Sequence, residues 1–188
     1  AAPRAPLAPW STAGARTMAQ PLTADSVRAA AREFSLDGVV RLTYSGRGIS
    51  SVLQPGAVGG TGVLHECDSL EYLDLSGNQI NTCDGLGGHP KLKKLILTSN
   101  KLKSLAGIDE LPALEHLLLP GNSIATFADS VDLLALRVPH LRSLYLKSTD
   151  GSLPNPVCEL PNYKSYVLSK LRSLRNLDGE RLRGTAAA

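Results

Sequence analysis

Three groups of residues in this chain have the types that chemistry asks for. His116, Ser143 and Asp74 offer the imidazole, hydroxyl and carboxylate of a hydrolytic triad. Such a triad works only if the carboxylate reaches one ring nitrogen while the other faces the serine. His65, Cys67, Cys83 and His89 offer nitrogen and sulfur ligands of the kind zinc takes, but at irregular spacing that matches no zinc signature. The run Gly59-Gly60-Thr61-Gly62 invites a phosphate-loop reading. It lacks both the Gly-Lys-Ser/Thr ending and the strand–turn–helix setting of such a loop.

What decides between these options is the framework that must position the side chains, and that framework is periodic. One phrase is written three times: LEYLDLSGNQI from Leu70, LKKLILTSNKL from Leu92 and LEHLLLPGNSI from Leu114, with starts 22 residues apart. Leu fills the first, fourth and sixth slots, Asn the ninth, and Ile or Leu the eleventh. Slots four and six alternate with more polar residues, the period of a short strand with one buried face. Slots one and eleven enter the same core from the turns. Asn78, Asn100 and Asn122 stand where the chain bends, and their amides can satisfy backbone groups buried between neighbouring coils. One coil cannot bury its apolar face alone, whereas stacked coils share a core and a parallel sheet. Each buried Leu or Ile contributes roughly 1.5–3 kcal/mol, set against the entropy of ordering the chain.

The spacing resembles that of the leucine-rich repeat family. It predicts an α/β solenoid of about five coils with a parallel sheet on the concave side. A degenerate first copy, VVRLTYSGRGI from Val39, keeps the core slots (Val39, Leu42, Tyr44 and Ile49) and has Arg47 for the Asn. Its excess length falls in a Gly-rich surface loop, Gln54–Gly62. The fourth copy is stretched through FADSVDLLALRVPH, which predicts a convex helix starting near Asp129 or Ser130. The fifth, from Leu141, has Thr149 at the Asn slot. The stretch from Asn155 to Leu182 resembles the C-terminal cap shared by phosphatase-1 regulatory subunits, the spliceosomal A-prime protein, acidic nuclear phosphoproteins and several ciliary proteins. The matching marks are Asn155-Pro156, Tyr163, Tyr166, and Leu174 with Leu177-Asp178-Gly179. Tyr163, Val167, the Lys170 stem, Leu171 and Leu174 lie at helical spacing and should lid the last coil.

Four segments follow: an Ala/Pro-rich arm (1–22), an N-terminal capping helix (23–34), the repeats (35–154) and the cap (155–184). Seven Ala and three Pro in the first 20 residues cannot make a core. That stretch reads as an arm held by a partner, with an organelle-targeting remnant as the other reading. In the helix, Thr23 is the N-cap, and Val27, Ala30, Ala31 and Phe34 share a face that covers the open first coil. A net charge of +3 is too mild to argue a generic nucleic-acid role. Three cysteines without framework spacing favour packed thiols in a reducing compartment. No run reaches the roughly 18 apolar residues of a membrane span.

Placed on the strands, the triad does not close. Slot three carries Arg41, Tyr72, Lys94, His116 and Ser143; slot five carries Thr43, Asp74, Ile96, Leu118 and Tyr145. His116 and Ser143 fall on adjacent strands, about 4.8 Å apart, but Asp74 lies about 10 Å away with Lys94 between, where it should pair with that lysine. No catalytic, metal or cofactor site is predicted. What remains is surface. Ile96, Leu118 and Tyr145, beside Pro120, form an apolar row on the concave face that suits a docking partner or the chain's own tail. Tyr72, Asp74, Lys94, His116 and Lys147 complete that candidate face. Slot two alternates Glu71, Lys93, Glu115 and Arg142, a row of surface ion pairs that sets register. In the cap, Lys164, Lys170, Arg172 and Arg175 form a basic patch: a solvated face, or a contact for tubulin's acidic tails or an RNA backbone.

The expectation is a non-enzymatic adaptor that docks proteins within a large assembly, with no small-molecule substrate and no membrane. The resemblance to small ciliary repeat proteins favours a cytoplasmic location in a cilium or axoneme, with tubulin or axonemal partners. The alternatives are a nuclear ribonucleoprotein subunit like the A-prime protein, where RNA enters only indirectly, and a phosphatase-regulatory subunit.

Overall fold

A computed structural model describes residues 22–53 and 62–182. The arm before Leu22, most of the Gly-rich loop and the chain beyond Leu182 lie outside the described residues. Within them the chain winds as a stack of coils, each contributing one short strand: β1 (Arg41–Thr43), β2 (Tyr72–Asp74), β3 (Lys94–Ile96), β4 (His116–Leu118) and β5 (Ser143–Tyr145). All five pair parallel in sequence order. β6 (Asn176–Leu177) adds a sixth parallel strand from the cap, and β7 (Glu180–Arg181) closes the edge antiparallel. The register aligns slot with slot: Tyr72, Lys94, His116 and Ser143 are successive partners, as are Asp74, Ile96, Leu118 and Tyr145.

The core follows from the repeated phrase. In the three full copies, slots one, four, six and eleven are all fully or almost fully buried. Each asparagine then ties two coils together. Asn100 donates from Nδ2 to the Leu75 and Leu97 carbonyls, both at 3.0 Å, and its Oδ1 accepts the Ile80 N–H at 3.0 Å. Asn78 and Asn122 repeat the pattern one coil earlier and one later. The residue before each asparagine turns the bend in the left-handed region: Gly77, Ser99 and Gly121 have φ of 66°, 55° and 70°. That conformation suits Gly, and it explains why a small residue precedes each of these three asparagines.

The stretched coils also obey this plan. Thr149 is not the ladder residue of the fifth coil; Asn155 is. Its Nδ2 donates to the Leu119 and Leu146 carbonyls at 2.9 and 2.7 Å, and its Oδ1 accepts from Ile124 N–H. The chain loops out after Lys147 and returns to deliver the amide late.

Helices seal the ends and the wide back of the stack. α1 (Ala24–Ala31) starts at a capping box in which Thr23 and Ser26 exchange bonds. It is shorter than the predicted 23–34 span, because Arg32 takes the left-handed conformation (φ 59°) and stops it. Phe34 therefore leaves the helical face and is fully exposed, and Leu36 enters the core instead. α2 (Val131–Arg137) follows Ser130 on the convex side. α3 (Tyr163–Lys170) buries Tyr163 and Val167, which with Leu171, Leu174 and Leu177 cover the last coil. Lys170 is not part of that lid. It is exposed, its Nζ pairs with Asp132 at 3.1 Å, and this bond holds its pKa up. The Phe127 and Tyr166 rings stack at 4.1 Å, and Tyr166 Oη donates to the same Asp132, so α2 and α3 clamp together.

Candidate protein-docking site

The concave face is built from slots three, five and seven of consecutive strands. Tyr72, Asp74, Lys94, Ile96, His116, Leu118 and Tyr145 all sit on it, partly buried, in the order their slots dictate. Ile96, Leu118 and Tyr145 are register partners, so three apolar side chains abut across β3, β4 and β5. Lys147, just past β5, borders them and is also partly buried. Tyr72 is occupied within its own chain, since the Arg41 guanidinium lies over its ring at 4.1 Å and Lys94 Nζ reaches it at 5.6 Å.

Two expectations for this face are corrected. Asp74 does not pair with Lys94: its Oδ1 accepts the Ser76 N–H at 2.9 Å, capping the turn after β2, while Lys94 prefers the tyrosine ring. Pro120 is buried rather than presented to solvent. Its carbonyl accepts Ser99 N–H from one side, and on the other the returning loop of the fifth coil bonds through the Leu153 carbonyl to Gly121 N–H, which walls the proline in.

Among the described residues of the face, the candidate triad does not close. His116 and Ser143 are register partners, but Asp74 is two strands from His116 and is committed to its own turn. Among the described residues, no group of three or more His, Cys, Asp or Glu side chains is placed to hold a metal ion. Cys67 Sγ points to the Val63 carbonyl and Cys83 Sγ to the Ser104 carbonyl. Of the Gly59–Gly62 run, only Gly62 is described, and it precedes a single 3-10 turn over Val63–Glu66. Among the described residues no helix is long and apolar enough to cross a membrane.

The basic cap patch is divided. Lys164 is paired with Glu180 at 2.6 Å and Lys170 with Asp132, which leaves Arg172 and Arg175 as its exposed, unpaired members among the described residues. The slot-two row forms the expected pairs, Glu71 with Lys93 at 3.0 Å and Glu115 with Arg142 at 3.4 Å.

A rigid capped stack with an open concave sheet defines a repeat protein of the solenoid class. The leucine-rich repeat family model matches residues 60–187, and the chain belongs to that family. Among solved structures it is similar to a chain of the Drosophila melanogaster SNF/U2A' complex: 28% identity, a TM-score of 0.59, and coverage of 76% of this chain and 74% of that one. It also shares its fold with an internalin, InlF of Listeria monocytogenes, at 22% identity and a TM-score of 0.57, over 81% of this chain and 41% of the internalin. No curated protein sequence matches it.

Proposed function

We propose that this chain is a non-enzymatic subunit that docks a protein partner on its concave face inside a larger assembly. The observation that carries the proposal is the register-aligned row Ile96, Leu118 and Tyr145, three neighbouring apolar side chains left partly exposed on the concave face. A stack this thoroughly bonded presents the row preformed, so binding orders little of the protein. Tyr145 supplies an aromatic anchor of the kind that dominates interface energetics. Lys94, His116 and Lys147 rim the row with basic groups that would orient an acidic or polar border on the partner.

Two assemblies suit such a subunit. The ribonucleoprotein reading is supported by similarity to a chain of the SNF/U2A' complex, which extends over three quarters of both chains. It would make the partner a protein of the SNF kind and the location nuclear. The axonemal reading, with tubulin or axonemal partners, rests on the ciliary resemblance of the cap and draws no support from the solved structures, so it ranks second.

Leu118→Asp combined with Tyr145→Ala tests the docking face. Relative to wild type, the double variant should lose its partner on co-purification from native extract, with affinity reduced at least about 30-fold if each side chain contributes roughly 1 kcal/mol or more. Circular dichroism should show the fold intact. Unchanged partner recovery by the folded double variant would sink the proposal, and the identity of the lost protein decides between the two assemblies.

A further inference from the structure

The slot-two row does not end where the ion pairs end. Slot-two residues bond backbone to backbone from coil to coil: Glu115 N–H to the Lys93 carbonyl, Arg142 N–H to Glu115, and Arg175 N–H to Arg142, the last at 2.7 Å. Arg175, immediately before β6, therefore stands directly beside Arg142 and continues the row past it. The alternation of charge breaks at this step. Glu71 is used by Lys93 and Glu115 by Arg142, and among the described residues Arg175 has no acidic partner. Two like charges on neighbouring strands repel, a cost that a bound anion removes. Around them the strand edge hollows into a groove of about 370 Å³, with Lys93, His140, Arg142 and Arg175 on its walls and Glu115 as its one acid.

We propose that this groove, at the start of β3 to β6, receives an acidic segment of a protein partner. Four strands span about 14 Å, the length of about four extended residues, so a short run of Asp and Glu could reach from Lys93 to Arg175. Guanidinium forks at Arg142 and Arg175 match carboxylates in two-bond geometry. His140 is the one aromatic ring on the groove's walls, with no Phe, Tyr or Trp beside it, so the groove lacks the series of stacking platforms by which successive bases of single-stranded RNA are held. The groove is separate from the concave apolar row, and its acidic ligand does not depend on that row being a docking face.

Fluorescence anisotropy of the full 188-residue chain with a fluorescein-labelled Glu/Asp-rich octapeptide tests the groove. Saturable binding should weaken as salt rises. It should fall at least about tenfold in Arg175→Glu and stay within about twofold in Lys103→Glu, which makes the same charge change on an exposed residue outside the groove. Leu118→Asp with Tyr145→Ala should leave peptide affinity unchanged, which keeps the groove's failure distinct from that of the concave face. Absence of saturable binding, equal losses in both charge variants, or tighter binding of an oligouridine of equal charge would each overturn the proposal.

Discussion

Replacing Asn100 by Ala tests the central claim about how this fold is held. The side chain is buried and makes bonds that no neighbour can take over completely. The Ile80 N–H has Asn100 Oδ1 as its acceptor, so truncation orphans a buried donor, at roughly 1–3 kcal/mol. The two carbonyls fare better. Leu75 O keeps Asn78 Nδ2 at 2.8 Å, and Leu97 O keeps Asn122 Nδ2 at 2.9 Å. Each loses one of two donors, at about 0.5–1 kcal/mol apiece. The sum is roughly 2–5 kcal/mol, a large share of the stability of a domain this size. At about 2–4 °C per kcal/mol, the melting temperature should drop by roughly 5–15 °C. Asn100→Asp should be at least as damaging, because a carboxylate keeps the acceptor but faces two carbonyl oxygens without a proton. Lys101→Ala, next door and exposed, should change stability by no more than about 0.5 kcal/mol. Urea unfolding followed by circular dichroism gives the magnitude, and hydrogen exchange at the Ile80 amide gives the mechanism. If the midpoint and the Ile80 protection both survive Asn100→Ala, the asparagine ladder is not what holds the bends.

Two pH-linked outcomes follow from burial. Desolvation, helped by the charge of Asp84, pushes the Cys83 thiol up to about 12, and burial with Glu66 and Asp68 pushes Cys67 up to about 11. Both thiols should resist iodoacetamide at pH 8.5 until urea unfolds the chain, and their contribution to stability should be intact below about pH 9 and decline above it; rapid native alkylation of Cys83 would contradict this packing. His89 is buried with Nε2 unpartnered, and desolvation first, then the charge of His65, lowers its pKa from the ordinary 6.5 despite an opposing pull from Asp68. A folded-state pKa below the unfolded one means the neutral ring stabilises the fold above about pH 6.5 and that this contribution is lost as pH falls. His89→Leu should flatten the stability slope between about pH 7 and 5, and an unchanged slope would remove His89 as its source.

The coils were legible because their burial is set by a local rule. A residue at slot four, the middle of a three-residue strand, has no choice of face, so Leu73, Leu95 and Leu117 could be placed from the phrase alone. Ion pairs on slot two were legible for the same reason. Most of the misses have a different cause, a segment distant in sequence, and Phe34 is the local exception. Phe34 was lost to a left-handed turn at a non-glycine residue, Arg32, for which composition provides no sign. Lys170 and Tyr166 answer to Asp132 on another helix, so a basic residue counted as cap surface is neutralised. Pro120 is walled in by a loop from the next coil. The small residue before each asparagine (Gly77, Ser99, Gly121) was a readable sign of left-handed bends.

Asp178 shows why the stack ends where it does. In earlier coils the slot-six N–H is taken by a backbone carbonyl of the next strand, as Leu119 N–H is by Tyr145. Past β5 no such carbonyl is offered, because Asp178 (φ 51°) and Gly179 (φ 86°) turn the chain into the β6–β7 hairpin. The Asp178 carboxylate substitutes for it, with Oδ1 accepting from Leu146 N–H at 2.7 Å and Lys147 N–H at 3.2 Å. Oδ2 accepts from Tyr163 Oη at 2.9 Å, and burial together with this carboxylate holds the phenol protonated. The Leu146 carbonyl, meanwhile, already has Asn155 as its donor, from both N–H and Nδ2. The last coil thus needs acceptors and no further donors, and a carboxylate accepts on both oxygens where an amide would accept on one and donate from the other end. At the other end of the stack α1 packs against β1. The concave row and the slot-two edge, the two surfaces proposed for recognition, are both set by the same coil register.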